Sequence, residues 1–107
     1  MKIRLGDIAY ARSGDKGSAA NVGVIARRDA AFELLRRYLT TDVVGKFFNV
    51  NDPIRYELPN LAALNFILPN ILDGGGSLSL KTDAQGKALG QQLLELELEI
   101  PDDQVPR

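Results

Sequence analysis

Six consecutive residues, Arg12, Ser13, Gly14, Asp15, Lys16 and Gly17, gather two cations, a carboxylate, a hydroxyl and two glycines inside the stretch ARSGDKGSAANVG, Ala11 to Gly23. The chemistry open to such a set is anion binding. Successive backbone N–H groups in a glycine-bearing turn can form a nest around a phosphate or carboxylate, and Arg12 and Lys16 would add positive charge. The pattern is not a P-loop, which needs G-x-x-x-x-G-K-[ST] opening a helix. Here Gly14 and Gly17 are three apart and the strand-like VGVIAR follows. Turn chemistry is the plainer account of the same residues, because Ser, Asp and Gly favour turns and glycine accepts positive φ. What keeps the anion site open is the Arg/Lys pair and the length, since a simple reversal between strands needs only about two to five residues.

Asp15 and Lys16 are the acid–base pair on offer. Adjacent residues rarely converge on one substrate atom, and an exposed Asp with a pKa of about 3.9 is a weak base. The sequence contains no His and no Cys. The commonest general base, the commonest metal ligand and the thiol nucleophile are therefore missing. Binding is favoured over catalysis, with no metal site and no cofactor implied.

Two other places could carry a ligand. In DAQGKALG, Gly86 and Lys87 stand in the first turn of an expected helix capped by Asp83. A helix N-terminus with a lysine beside it attracts anions, although a helix start with a tolerated glycine explains the same residues. In PNLAALNFIL, Asn65 lines up with Leu61, Leu64 and Leu68 on one helical face, with Asn60 as the cap. A buried amide without a partner costs about 1–3 kcal/mol, so Asn65 should bond a neighbouring loop, with ARSGDKGSAANVG a candidate.

These residues need a scaffold, and 107 residues suit one domain. Alternation makes KIRLGDIAYA one strand, with Ile3 and Leu5 on one face and Lys2 and Arg4 on the other. NVGVIAR is a second strand. DAAFELLRRYL reads as a helix capped by Asp29, with Phe32, Leu35 and Leu39 buried and Glu33 facing Arg37 in water. TTDVVGKFF reads as a second short helix, or as a continuation of the first after a bend, with Val44 and Phe47 inward. Pro53 opens the strand IRYEL, with Ile54, Tyr56 and Leu58 on one face and Arg55 and Glu57 on the other. SLSLKT is a strand and DAQGKALGQQLL a helix. LELELEI is the last strand, with Leu94, Leu96, Leu98 and Ile100 inward and Glu95, Glu97 and Glu99 outward. Residues 101–107 are expected to fray from a core spanning 1–100.

The fold class is α+β, with helices against one face of a largely antiparallel sheet. Outward Lys2 and Arg4 complement the three glutamates, which would set the first and last strands side by side. The glutamates could equally keep an edge strand soluble.

The bulk numbers remove other functions. Residues 1–40 carry eight Lys/Arg and four Asp/Glu, and residues 41–107 carry five and ten. The basic half spreads its charges over several elements and has only Tyr10, Phe32 and Tyr38 as aromatics, which argues against nucleic acid as a partner. No apolar run approaches the roughly 18 residues of a membrane span, and MKIRLGDIAYAR lacks the apolar core of a signal peptide. A cytoplasmic protein without membrane contact is the expectation.

Three stretches occur in order: ARSGDKGSAANVGVIAR, RYELPNLAALNF and DGGGSLSLKTDAQGKALGQQLL. Together they resemble the C-terminal domain of the AtuA-like proteins of acyclic terpene utilisation, from about Leu5 to Ile100. The resemblance implies a ferredoxin-like domain in bacterial catabolism of acyclic terpenes and related branched acids, whose intermediates travel as coenzyme A thioesters. Arg12, Ser13, Gly14, Asp15, Lys16, Gly17, Asn21, Asn60 and Asn65 match the family pattern, and no catalytic residue is carried over with them. AtuA-like proteins usually carry a long N-terminal domain that this sequence lacks. The resemblance therefore implies an accessory subunit of a separate AtuA-like large chain, homo-oligomeric as well, with the loop at the joint or completing the partner's active site. The alternative is a small module that binds acyl-CoA or another anionic metabolite.

Overall fold

A computed structural model describes residues 1–16, 19–69 and 89–104. The chain starts with a short strand, β1 (Lys2–Arg4), and a 3-10 turn (Leu5–Asp7). Two longer strands follow, β2 (Ala9–Lys16) and β3 (Ala19–Ala26), then helices α1 (Asp29–Tyr38) and α2 (Thr41–Phe48). Strands β4 (Ile54–Leu58) and β5 (Ala63–Leu68) come next, and helix α3 (Leu89–Leu93) precedes the last strand, β6 (Glu97–Glu99).

The main sheet has the order β2-β3-β5-β4, and every neighbouring pair is antiparallel. Strands β3 and β4 are joined through α1 and α2 yet separated in the sheet by β5. That is the split β-α-β arrangement of ferredoxin-like folds. One sheet face carries the core. Val22 and Val24 of β3 and Leu64, Phe66 and Leu68 of β5 are fully buried together with Leu35 and Leu39 around α1, Val44 of α2 and Leu93 of α3.

ARSGDKGSAANVG is not a long loop. Strands β2 and β3 pair from Ala9↔Ala26 to Lys16↔Ala19, which leaves Gly17 and Ser18 between them. The turn-forming residues sit inside a ladder because their faces alternate. A Cβ on Gly14 would stand 3.1 Å from Oδ1 of Asn21, so glycine relieves crowding within the strand pair.

PNLAALNFIL is not a helix. Pro59–Leu61 form a 3-10 turn, Ala62 takes a left-handed conformation (φ 50), and β5 begins at Ala63. The buried set is Leu64, Phe66 and Leu68, a period of two. Asn60 accordingly caps no α-helix. KIRLGDIAYA is also interrupted. The Leu5–Asp7 turn lets the chain leave one sheet and enter the other, with Leu5 N–H donating to Leu96 O (2.7 Å) and Gly6 N–H to Leu94 O (2.9 Å).

The first and last strands do pair, in register Lys2↔Glu99, Ile3↔Leu98 and Arg4↔Glu97, but as a separate two-stranded sheet. Arg4 Nη1 reaches Glu95 Oε1 at 3.0 Å. Leu98 and Ile100 are buried, Leu94 and Leu96 half-buried, and the three glutamates exposed. Helix α1 starts at Asp29, one residue earlier than a capping role for Asp29 required, and Phe32 is only half-buried. In α2 the buried aromatic is Phe48, while Phe47 is exposed. Residues 102–104 are not frayed: Gln104 Oε1 accepts from Tyr38 Oη (2.7 Å) and Arg37 Nη1 (3.0 Å). SLSLKT, DGGG, Asp83, Gly86 and Lys87 lie outside the described residues.

Candidate functional site

Among the described residues, the helices cover one face of the main sheet and leave the other open. Alternate residues of all four strands point out of that open face, and the registers align them in rows. Tyr10, Ile25, Ala63 and Leu58 form one row. Arg12, Gly23, Asn65 and Tyr56 form the next, and Gly14, Asn21, Ile67 and Ile54 a third. Tyr10 and Tyr56 are each 53% exposed and Ile54 45%. Leu58 and Leu61 are exposed beside them.

At the centre is a polar pair. Asn21 Nδ2 donates to Asn65 Oδ1 at 3.3 Å. Gly23 lies next to this pair, and a Cβ there would meet nothing closer than Arg12 O at 3.9 Å. The absent side chain leaves a hollow in the sheet surface. A depression of about 290 Å³ is lined by Gly23, Ile25, Leu58, Leu61 and Asn65 among others. A second, of about 240 Å³, is lined by Ala19, Asn21, Asn65 and Ile67 among others. Asn65 lines both. On the rim, the Arg27 guanidinium lies 4.0 Å above the ring of Tyr10, a cation–π contact, while its Nε donates to Gly6 O at 3.1 Å.

The structure brings Arg12, Gly14, Asn21 and Asn65 together on this face. Asn65 finds its partner in the Ala11–Gly23 stretch, as a side chain of the neighbouring strand. Ser13 belongs to the opposite face, where its Oγ accepts from Gly90 N–H (3.1 Å) and ties α3 to β2. Along the backbone ladder Asp15 pairs with Ala20 and Lys16 with Ala19. Asn60 is exposed in the turn past the end of the β4–β5 ladder. Gly17 lies outside the described residues. Among the described residues, no three His, Cys, Asp or Glu gather as metal ligands, and no helix is long and apolar enough to cross a membrane.

Sequence reasoning did not single out Tyr10, Gly23, Arg27, Tyr56 or Leu61. The available signal was the alternation in IRYEL. Its apolar set faces out, because Arg55 is needed on the helix side. Arg55 Nη1 donates to Arg36 O (2.9 Å) and Leu39 O (3.0 Å), satisfying carbonyls at the end of α1, and Nη2 reaches Glu57 Oε2 at 3.2 Å.

The family model for the AtuA ferredoxin-like domain matches residues 3–99. No curated protein and no solved structure matches the chain. The match spans both sheets, from within β1 to the end of β6, and agrees with the mixed fold and its split β-α-β connection. The chain belongs to the AtuA ferredoxin-like domain family.

Proposed function

We propose that this domain is a cytoplasmic accessory subunit of an AtuA-like system in the catabolism of acyclic terpenes or related branched acids. In this reading it docks through its open sheet face onto a separate AtuA-like large chain and is not catalytic alone. One observation carries the reading: Arg12, Gly14, Asn21 and Asn65, on which the family resemblance rests, share that face with two half-exposed tyrosines and three exposed aliphatics. A polar centre ringed by Tyr, Arg and aliphatic side chains is the composition of a protein interface core. The two depressions, about 290 and 240 Å³, fall just below the range of about 300–1,000 Å³ typical of enclosed small-molecule sites. They fit inserted side chains better than a whole coenzyme A thioester. The absence of His and Cys from the sequence supports a non-catalytic role.

The test is purification of the tagged chain from its native cells, followed by mass measurement under non-denaturing conditions. A stoichiometric AtuA-like large chain that is lost on Arg12→Glu supports the reading. A tagged chain that emerges without it ends the reading.

Exposed Arg12 beside the Gly23 hollow favours a second reading, capture of an acyl-CoA or phosphate-bearing metabolite. Titration with acyl thioesters would then perturb the amides of Arg12, Gly14 and Gly23. No response at millimolar ligand would dismiss it.

A further inference from the structure

Residues 53–59 read PIRYELP. About Tyr56 it is mirror-symmetric in residue type except that the charge changes sign: proline, aliphatic, cation, aromatic, anion, aliphatic, proline. Its middle five residues are β4, which ends the main sheet. Among the described residues, only β5 pairs with β4, on its inner side. Ile54, Tyr56, Glu57 and Leu58 are all exposed. An apolar, β-branched and aromatic edge of this kind is a template for another strand.

We propose that β4 pairs antiparallel with β4 of a second copy about a two-fold axis through Tyr56, joining the two main sheets into one of eight strands. Ile54 of each copy then faces Leu58 of the other, Arg55 faces Glu57, and Tyr56 faces Tyr56. Opposite charges and aromatic pairs across strands are favourable, and like charges directly opposite are not. The register is singular. Centring the pair on Arg55 or Glu57 sets that charge against itself and draws Pro53 or Pro59, which lack an N–H, into the ladder. Centring between two residues would put the two helical layers on opposite faces.

The charges are already held for this. Arg55 is anchored on the carbonyls of Arg36 and Leu39, and Glu57 lies against it with 43% of its side chain exposed. Pairing would turn two adjacent charges into a square of four in which each charge neighbours only opposite ones. The interface is isologous, as a closed dimer requires. It uses the strand edge, whereas the proposed large-chain contact uses the sheet face, so either can fail without the other.

The chain contains no cysteine, so a single introduced thiol reports its own position. Directly opposed residues of antiparallel strands have Cα atoms about 4.5–5.5 Å apart, within disulfide reach. Tyr56→Cys should therefore cross-link to itself under mild oxidation. Ile54→Cys should not, because its two copies lie four positions apart, about 13 Å along the strand. Sedimentation of the unaltered chain should show a concentration-dependent dimer, and Glu57→Arg should weaken it about tenfold or more. Mixing Glu57→Arg with Arg55→Glu should restore association, because each supplies the charge the other lacks. If Arg55→Glu unfolds the chain for want of its α1 contacts, the cysteine pair decides alone. A monomer at every concentration, or cross-linking at residue 54 as readily as at 56, overturns the proposal.

Discussion

Asn21 and Asn65 lie 44 residues apart in sequence and share one hydrogen bond, Nδ2 to Oδ1 at 3.3 Å, in the middle of the open sheet face. The bond is exposed, so water competes for both amides and its net contribution is small. Its importance is geometric: it fixes two amides beside the hollow left by Gly23. Asn65→Leu is expected to change stability by less than about 1 kcal/mol in urea unfolding. If the proposed docking holds, the same variant should fail to retain an AtuA-like large chain in a pull-down. A large loss of stability would mean that the pair serves the fold instead.

Ser13 makes the opposite case. Although it sits among the motif residues, its hydroxyl accepts from the backbone of Gly90 and ties α3 to β2. Ser13→Ala should cost about 1 kcal/mol, as loss of a helix-end acceptor does. The urea midpoint should fall with an unchanged slope, and large-chain binding should persist.

Gly45 lies within α2, where alanine would ordinarily be preferred by about 1 kcal/mol. A Cβ there would stand 2.9 Å from Val50 O, a backbone atom fixed in part by Val50 N–H donating to Gly45 O at 2.9 Å. Gly45→Ala should therefore destabilise, by about 1–3 kcal/mol, against the propensity trend. Thermal unfolding of the variant gives the sign directly.

Glu33 is bracketed by Arg36 and Arg37 on α1. The hydrogen bond from Arg36 is the largest cause holding its carboxyl below the ordinary value of 4.5. With the folded-state value depressed, the unfolded chain binds the proton first as acid is added. The stabilisation is complete above the ordinary value and is lost as pH falls through the folded one. Glu33→Gln should unfold at slightly lower urea than the unaltered chain at pH 7. The two midpoints should converge as pH falls below the depressed folded-state value, and salt should shrink the difference.

Much of the fold could be read from periodicity. The α1 and α2 helices, the β4 strand and the exposed glutamates near β6 follow from apolar spacing alone. Elsewhere two periods overlapped. In PNLAALNFIL, Leu61, Leu64 and Leu68 satisfy a helix while Leu64, Phe66 and Leu68 satisfy a strand, and the backbone reversal at Ala62 decided between them. In ARSGDKGSAANVG, glycine and serine concealed an alternating ladder. Arg12, Asn21 and Asn65 could be named from the sequence, but their convergence depends on the β2-β3-β5 register, a tertiary property. The outward turn of Tyr56 likewise depends on where Arg55 finds carbonyls to satisfy.

The pairing of β1 with β6 has a consequence for how the chain folds. The β2–β3 and β4–β5 ladders each join neighbours in sequence, whereas the backbone bond from the Met1 ammonium to Ile100 O spans 99 residues. Closing the longest loop has the greatest entropic cost and depends on contacts already made. The hairpins are therefore the early structures and the joined ends the last. In native-state hydrogen exchange the amides of β1 and β6 should open ahead of those of β3 and β5. The ends of the chain act as a clasp, fastened after the sheet is built and released before it comes apart.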